Sequence, residues 1–200
     1  MVERPNESEW IHRAMQGDDN AFAMLVEVYQ VPVYNLCYRM LGNPMEAEDA
    51  AQEAFLRAYK GINRYDPERR FATWLLSIAS HHCIDRLRRR KYPIRSLDEL
   101  LPWQQKADDM PGPETALTQK ENQEAVRKML EQLGDHDRMV LILRYWYDLS
   151  YEEIAQSLSS SVSAVKSRLH RARRQLADQW IKRTSIEVGK QGRCDEASAF

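Results

Sequence analysis

The stretch LSYEEIAQSLSSSVSAVKSRLHRARR, from Leu149 to Arg174, constrains the fold more than any other part of this chain. Ser150 is followed three residues later by Glu153, the spacing at which each side chain can satisfy the other's free backbone N–H at a helix start. Ile154, Ala155 and Leu158 give that helix an apolar face. Ser159, Ser160 and Ser161 compete for backbone hydrogen bonds and so interrupt a helix. Beyond them Val162, Val165, Leu169, Ala172 and Leu176 recur at helical spacing. Ser163, Lys166, Ser167, His170, Arg171, Arg173 and Arg174 lie mostly off that stripe. The segment from Ser163 to Gln175 holds five basic residues and no acid. A helix anchored by one apolar stripe and presenting a basic, hydroxyl-bearing face suits the major groove of duplex DNA. The plain alternative is an amphipathic helix with a solvated basic face. The capped helix before it, the short turn and the small Ala155 at the expected crossing favour a helix-turn-helix.

The rest of the chain is read as all-α. Glycine is scarce at 7 residues in 200, and no β-branched run alternates with polar residues. The expected architecture is two small helical domains joined by a flexible acidic linker. The second is a four-helix, winged-helix-like helix-turn-helix domain. The net charge of −1 does not advertise nucleic-acid binding, so such a signal has to come from local segregation of charge. Cys37, Cys83 and Cys194 are odd in number and widely spaced, which fits a reducing cytoplasm better than a disulfide framework. The polar start MVERPNESEW carries no apolar core of a signal peptide, and no stretch approaches a membrane span of about 18 apolar residues. A cytoplasmic protein without membrane insertion is expected.

A first domain is expected over residues 8–92. A short helix from Ser8 to Gln16 stops at Gly17, and Asp18 to Asn20 open a long apolar-periodic segment ending at Gly42, with Pro32 expected to kink or interrupt it. Asn43-Pro44-Met45-Glu46 reads as the next helix start. Its buried side carries Ala47, Ala50, Ala51, Ala54, Phe55, Ala58 and Tyr59; its other side is acidic and amide-rich, with Glu46, Glu48, Asp49, Gln52 and Glu53. Gly61 to Arg70 is expected to be a loop, rich in arginine and aromatic residues at Arg64, Tyr65, Arg69 and Arg70, with Phe71 following. A third long helix is expected from Thr73 to Arg90. Leu76, Ala79, Cys83 and Leu87 form one stripe, and Trp74, Ile78, His81, Asp85 and Arg88 a second face. It ends in Arg86, Arg88, Arg89, Arg90 and Lys91, five cations within six residues, where the helix dipole would need only one or two. That excess suggests a phosphate-binding edge.

From Pro93 to Pro113 prolines punctuate the chain. Between Ser96 and Thr115 five acids face one lysine, giving −4. This linker of roughly 20 residues spans at most about 70 Å if extended at ~3.3 Å each. Leu97, Leu100, Leu101 and Trp103 are too apolar for a passive spacer. The second domain is expected over 114–183: a helix with Val126, Met129, Leu130 and Leu133, a helix capped by Asp135, then the helix-turn-helix. The tail 184–200 has no periodicity and reads as disordered.

Asp49-Ala-Ala-Gln-Glu-Ala-Phe55, Phe71-Ala-Thr-Trp-Leu75 with Ile78-Ala79, Leu149-Ser-Tyr-Glu-Glu-Ile-Ala155 and Val165-Lys-Ser-Arg-Leu-His-Arg-Ala-Arg173 together resemble the extracytoplasmic-function (ECF) sigma factors, promoter-specificity subunits of bacterial RNA polymerase. The similarity covers about residues 10 to 180, in the family's order. It implies that Asp49, Gln52, Glu53 and Phe55 bind the clamp helices of core RNA polymerase, with the flap as a second contact. Arg64, Tyr65, Arg70, Phe71, Trp74, His81, Arg86, Arg88 and Arg89 would melt the minus-ten promoter element and capture an extruded base. Ser163, Lys166, Ser167, His170, Arg171, Arg173 and Arg174 would read the minus-thirty-five element. Many family members carry Asn where this chain has His81. An anti-sigma factor is a possible partner.

Two other functions stand as alternatives. A stand-alone helix-turn-helix regulator would have a sensing or dimerising first domain, which would not need an acidic docking helix and an arginine-rich edge. An enzyme or metal protein finds little support: His81, His82 and Cys83 are consecutive on a helix, so they point about 100° apart and cannot converge on one ion. Neither catalytic residues, a metal site nor a cofactor is expected.

Overall fold

The computed structural model describes residues 6–91 and 125–197, with side chains through residue 181. The expected linker, including Leu97, Leu100, Leu101 and Trp103, lies outside the described residues.

Helix α1 (Glu7–Met15) turns at Gly17 into α2 (Asp19–Leu41). Asp18 caps α2 by accepting from the backbone N–H groups of Asn20 and Ala21, at 2.9 and 3.1 Å. α2 runs through Pro32 without interruption. The ring removes one backbone bond, while Tyr29, Val33 and Leu36 around it are buried and hold the helix in place. Gly42 ends α2 at φ 75°, its N–H reaching Tyr38 O at 2.9 Å. The left-handed backbone there favours glycine; a Cβ would meet only the movable end of the Glu131 side chain, at 2.7 Å.

Asn43 caps α3 (Pro44–Gly61), accepting from the Glu46 N–H at 3.2 Å. Ala47, Ala50, Ala51, Ala54 and Ala58 are buried, and their small side chains let α3 pack closely on α2 and α4. The expected loop after Gly61 is shorter than its composition suggests, because a 3₁₀ turn over Ile62–Arg64 extends α3 with Ile62 buried beneath it. α4 spans Phe71–Lys91.

The carboxy-terminal group comprises α5 (described over 125–131), α6 (Asp135–Trp146), α7 (Tyr151–Ser157) and α8 (Val162–Ala197). Gly134, not Asp135, occupies the cap of α6; Asp135 is the first helical residue and its carboxylate instead accepts from Lys91 Nζ at 2.9 Å. α8 continues as helix to Ala197, where the sequence reading expects disorder from Thr184. The segment lacks proline, and extending an existing helix adds a bond per residue without a new nucleation cost. The described residues contain no strand.

The two groups pack on each other. The buried Arg138 of α6 donates to Met40 O of α2 at 2.6 Å and to Glu131 O at 2.8 Å. Arg127 of α5 donates to Gly42 O at 2.8 Å, so two guanidiniums cover carbonyls at the end of α2, where the helix leaves them unpaired. Tyr147, past the end of α6, donates its phenol to Pro32 O at 2.6 Å.

Candidate nucleic-acid and polymerase interface

In α7 and α8 local chemistry builds the helix-turn-helix as the sequence predicts. Glu153 N–H donates to Ser150 Oγ at 3.1 Å, and Ser150 N–H to Glu153 Oε2 at 2.7 Å, a complete capping box. The turn closes with Ser160 N–H on Ala155 O at 2.8 Å and Ser159 N–H on Gln156 O at 3.3 Å. These two bonds form a Schellman motif, with Ser159 at φ 49° in the place usually taken by glycine. Ser161 Oγ then accepts from Ala164 N–H at 3.1 Å and starts α8. Val165, Leu169 and Ala172 are buried. Ser163, Lys166, Ser167, His170, Arg171, Arg173 and Arg174 are all exposed on the opposite side.

Several of these cations have partners that the sequence does not reveal. Arg171 forks onto Asp137 of α6, Nε to Oδ2 and Nη2 to Oδ1, both at 3.1 Å. Arg168 reaches the same carboxylate at 3.4 Å. Arg173 Nε donates to the Tyr145 hydroxyl at 2.8 Å, and its guanidinium lies 5.6 Å from that ring's centre. Lys166 Nζ sits 5.9 Å from the centre of the Tyr151 ring.

In the amino-terminal group the expected melting residues divide. Tyr65 and Phe71 are 5% and 3% exposed, so neither ring offers a face on which a base could stack. They pack in the core with Tyr29 and Trp74 at ring separations of 5.2 to 5.5 Å, and Tyr65 donates its hydroxyl to Arg69 O. An aromatic in an arginine-rich loop is thus a core anchor for that loop, which composition could not distinguish from a stacking platform. Trp74 is half-buried, while Arg64, Arg70, His81, Arg88 and Arg89 are exposed. His81 Nδ1 donates to Ser77 O at 2.8 Å, which leaves the far edge of its ring outward. Arg70 lies 3.7 Å from Glu153, and Arg88 3.2 Å from Asp85.

The basic end of α4 is partly neutralised by α3. Arg86 lies 3.8 Å from Glu46 and 3.5 Å from Asp49, and Arg90 pairs with Glu46. Arg86 is therefore half-buried against the acidic helix and does not stand on an open edge. On α3, Asp49 and Gln52 are exposed, Glu53 pairs with Arg57 at 2.6 Å, and Phe55 is half-buried. Met45 and Leu56, at 63% and 54% exposure, extend the same face. Their spacing with Asp49 and Gln52 (four, three and four residues) puts all four on one side of the helix. That spacing is visible in the sequence, but the acidic and amide residues around Met45 and Leu56 dominate the pattern.

His81, Arg88 and Lys91 of α4, with Asp135 and His136 of α6 and Leu158 after α7, line a cavity between the groups. Burial, then the nearby Arg168 charge, pulls the His136 pKa below its usual value. Among the described residues no His, Cys, Asp and Glu cluster could hold a metal ion, and no helix is long and apolar enough to cross a membrane.

A capped helix-turn-helix with an exposed basic face and an acidic-apolar helix face thus lie in separate helical groups, the layout of a two-part helical protein. Comparison with known families gives the class: residues 25–92 match Sigma-70 region 2, and residues 123–176 match Sigma-70, region 4. The ECF RNA polymerase sigma factor SigW of Bacillus subtilis is 40% identical over 175 residues, covering 84% of this chain and 94% of the relative. The RNA polymerase sigma-H factor of Pseudomonas aeruginosa is 33% identical, covering 86% and 93%. Among solved structures, CnrH in complex with the cytosolic domain of CnrY shares the fold with TM-score 0.65 at 22% identity, covering 89% of this chain and 99% of that one. The chain belongs to the ECF sigma factors of RNA polymerase, with one of the two matched regions falling on each group of helices. The stand-alone regulator is accordingly not favoured.

Proposed function

We propose that this sigma factor divides promoter recognition between its two groups of helices as follows. Residues 8–92 dock on the clamp helices of core RNA polymerase through the α3 face carrying Asp49, Gln52, Glu53 and Phe55, to which Met45 and Leu56 add apolar contact. Arg64, Arg70, Trp74, His81, Arg88 and Arg89 then face the minus-ten element. Tyr65 and Phe71 act there as supports for the loop, and Arg86 ties α4 to α3. Residues 114–183 place α8 in the major groove of the minus-thirty-five element, with Lys166, Ser167 and His170 towards base edges and Arg173 and Arg174 towards phosphates. Residues 93–113 connect the two. The polymerase carries out phosphoryl transfer; this chain contributes site choice and strand opening and is not itself a catalyst. Its setting is the bacterial cytoplasm, on RNA polymerase at the nucleoid. An anti-sigma factor fits as a regulator, since RpoE of Bartonella quintana, similar in fold with TM-score 0.58, was solved with the anti-sigma factor NepR.

The observation that carries this reading is the capped helix-turn-helix, whose buried Val165, Leu169 and Ala172 turn the exposed Lys166, Ser167 and His170 outward. The test is transcription by core polymerase reconstituted with the full chain. Lys166→Ala should weaken use of promoters mapped from overexpression transcripts while co-purification with core polymerase persists. Loss of polymerase binding in that variant would contradict the assignment.

A further inference from the structure

The cations of α8 are held in two chemically different ways. Tyr145 orients Arg173 through a neutral hydroxyl, so the full positive charge of that guanidinium stays available to DNA. Asp137 does the opposite. Its carboxylate is 15% exposed, sits in the first turn of α6 where the helix dipole favours an anion, and takes both donors of one edge of Arg171. A bidentate fork onto a mostly buried carboxylate is a stronger and better-defined pairing than an open surface ion pair. Arg168, itself half-buried, leans on the same group. Two guanidiniums and one carboxylate leave a single net positive charge on a face that carries two arginines.

We propose that Asp137 is a specificity-determining residue of promoter binding: it withdraws Arg171 from the phosphate backbone and so lowers sequence-independent affinity relative to base reading by α8. This rests on the reading of α8 as the duplex-binding helix. The physical basis is that non-specific binding arises almost wholly from phosphate neutralisation and counterion release, whereas base edges are read by direct contacts. A neutral Arg171–Asp137 pair releases no counterion. It removes one unit from the term that all sequences share, and leaves intact the term that Lys166, Ser167 and His170 supply. Arg171 is 60% exposed, so its guanidinium can swing to a phosphate once the carboxylate charge is gone.

The test uses core polymerase assembled with the full chain and two duplexes, one with the upstream element and one with that element scrambled, titrated across salt. In Asp137→Asn both duplexes should bind more tightly at moderate salt. The scrambled one should gain more than the matched one, equal gains overturning a role in specificity, and the slope of log K against log salt should steepen by about 0.9 for each phosphate newly neutralised. The double variant Asp137→Asn with Arg171→Ala should lose the gain. An unchanged slope, or weaker binding to both duplexes in Asp137→Asn with an unfolding midpoint close to that of the unaltered chain, overturns the proposal. If Asp137→Asn is unstable, Asp137→Ser should give the same steeper slope, and its failure to do so counts equally against the proposal. If the unaltered holoenzyme shows no preference between the two duplexes, the assignment of α8 itself fails and the role of Asp137 falls with it.

Discussion

Replacing Arg138 by methionine removes the bonds that tie α6 to α2 while keeping most of the side chain's volume. The guanidinium donates to Met40 O at 2.6 Å and Glu131 O at 2.8 Å, with a weaker contact to Leu133 O at 3.4 Å. Burial lowers its pKa, an effect partly offset by Asp135 and Glu131, so the fold bears a real desolvation cost for this cation. Each hydrogen bond from a charged donor contributes about 1.5–3 kcal/mol, and a carbonyl left unpaired costs about 1–3 kcal/mol. Against this stands the relief of no longer burying a charge, since an apolar replacement of similar shape often recovers much of the loss. The balance is a destabilisation of about 3 kcal/mol, roughly half of it on the cross-group bond to Met40. For a chain of this size that lowers the unfolding midpoint by about 6–12 °C. It should also loosen the coupling between the two groups. Urea unfolding followed by far-ultraviolet circular dichroism and by tryptophan fluorescence should therefore shift from near-coincident curves to separated ones. Coincident curves at the original midpoint would refute the idea that this buried cation joins the groups.

Three further outcomes are expected. Ser159→Gly should stabilise the chain by about 0.5–1 kcal/mol, because glycine meets no steric penalty at a left-handed helix end; a lower melting temperature would count against the Schellman turn. His82 and His136 are both held below the imidazole value of 6.5, His82 by burial and then Arg57, His136 by burial and then Arg168. The unfolded chain takes up protons that the folded one resists. Stability should thus be complete above about pH 6.5 and fall as the pH drops below it, before the carboxylates Asp18 and Glu53, held below 3.8 and 4.5, begin to contribute. Urea midpoints at pH 5.5 and 7.5 would read this, and His136→Gln should reduce the difference. His81→Asn should alter base preference within the minus-ten element more than overall promoter affinity, since the outward ring edge changes while α4 stays helical; identical preference across all four bases there would remove His81 from base reading.

What the sequence determined by itself was local. Asp18, Asn43 and the Ser150–Glu153 pair make their caps with residues two or three positions away, so the signal and the structure share one short window. The alanine stripe of α3 and the apolar stripe of α8 are legible for the same reason, since helical spacing decides which side is buried, while Tyr59, expected on the buried side of α3, is 45% exposed. The family resemblance also rested on short motifs in order, and the homologous matches agree with it. Tertiary structure decided the rest, because the partners are distant along the chain. Arg171 meets Asp137 across 34 residues, and Arg138 meets Met40 across 98. No periodicity encodes such a meeting; it depends on how α6 lies against α2 and α8. Tyr65 and Phe71 show the limit most clearly. An aromatic ring near arginines reads equally well as a stacking surface or as core, and only packing against Tyr29 and Trp74 decides that these two are core. The same packing turns Arg86 from a DNA edge into a tie to Glu46 and Asp49, because a long cation goes to the nearest carboxylate that the fold presents.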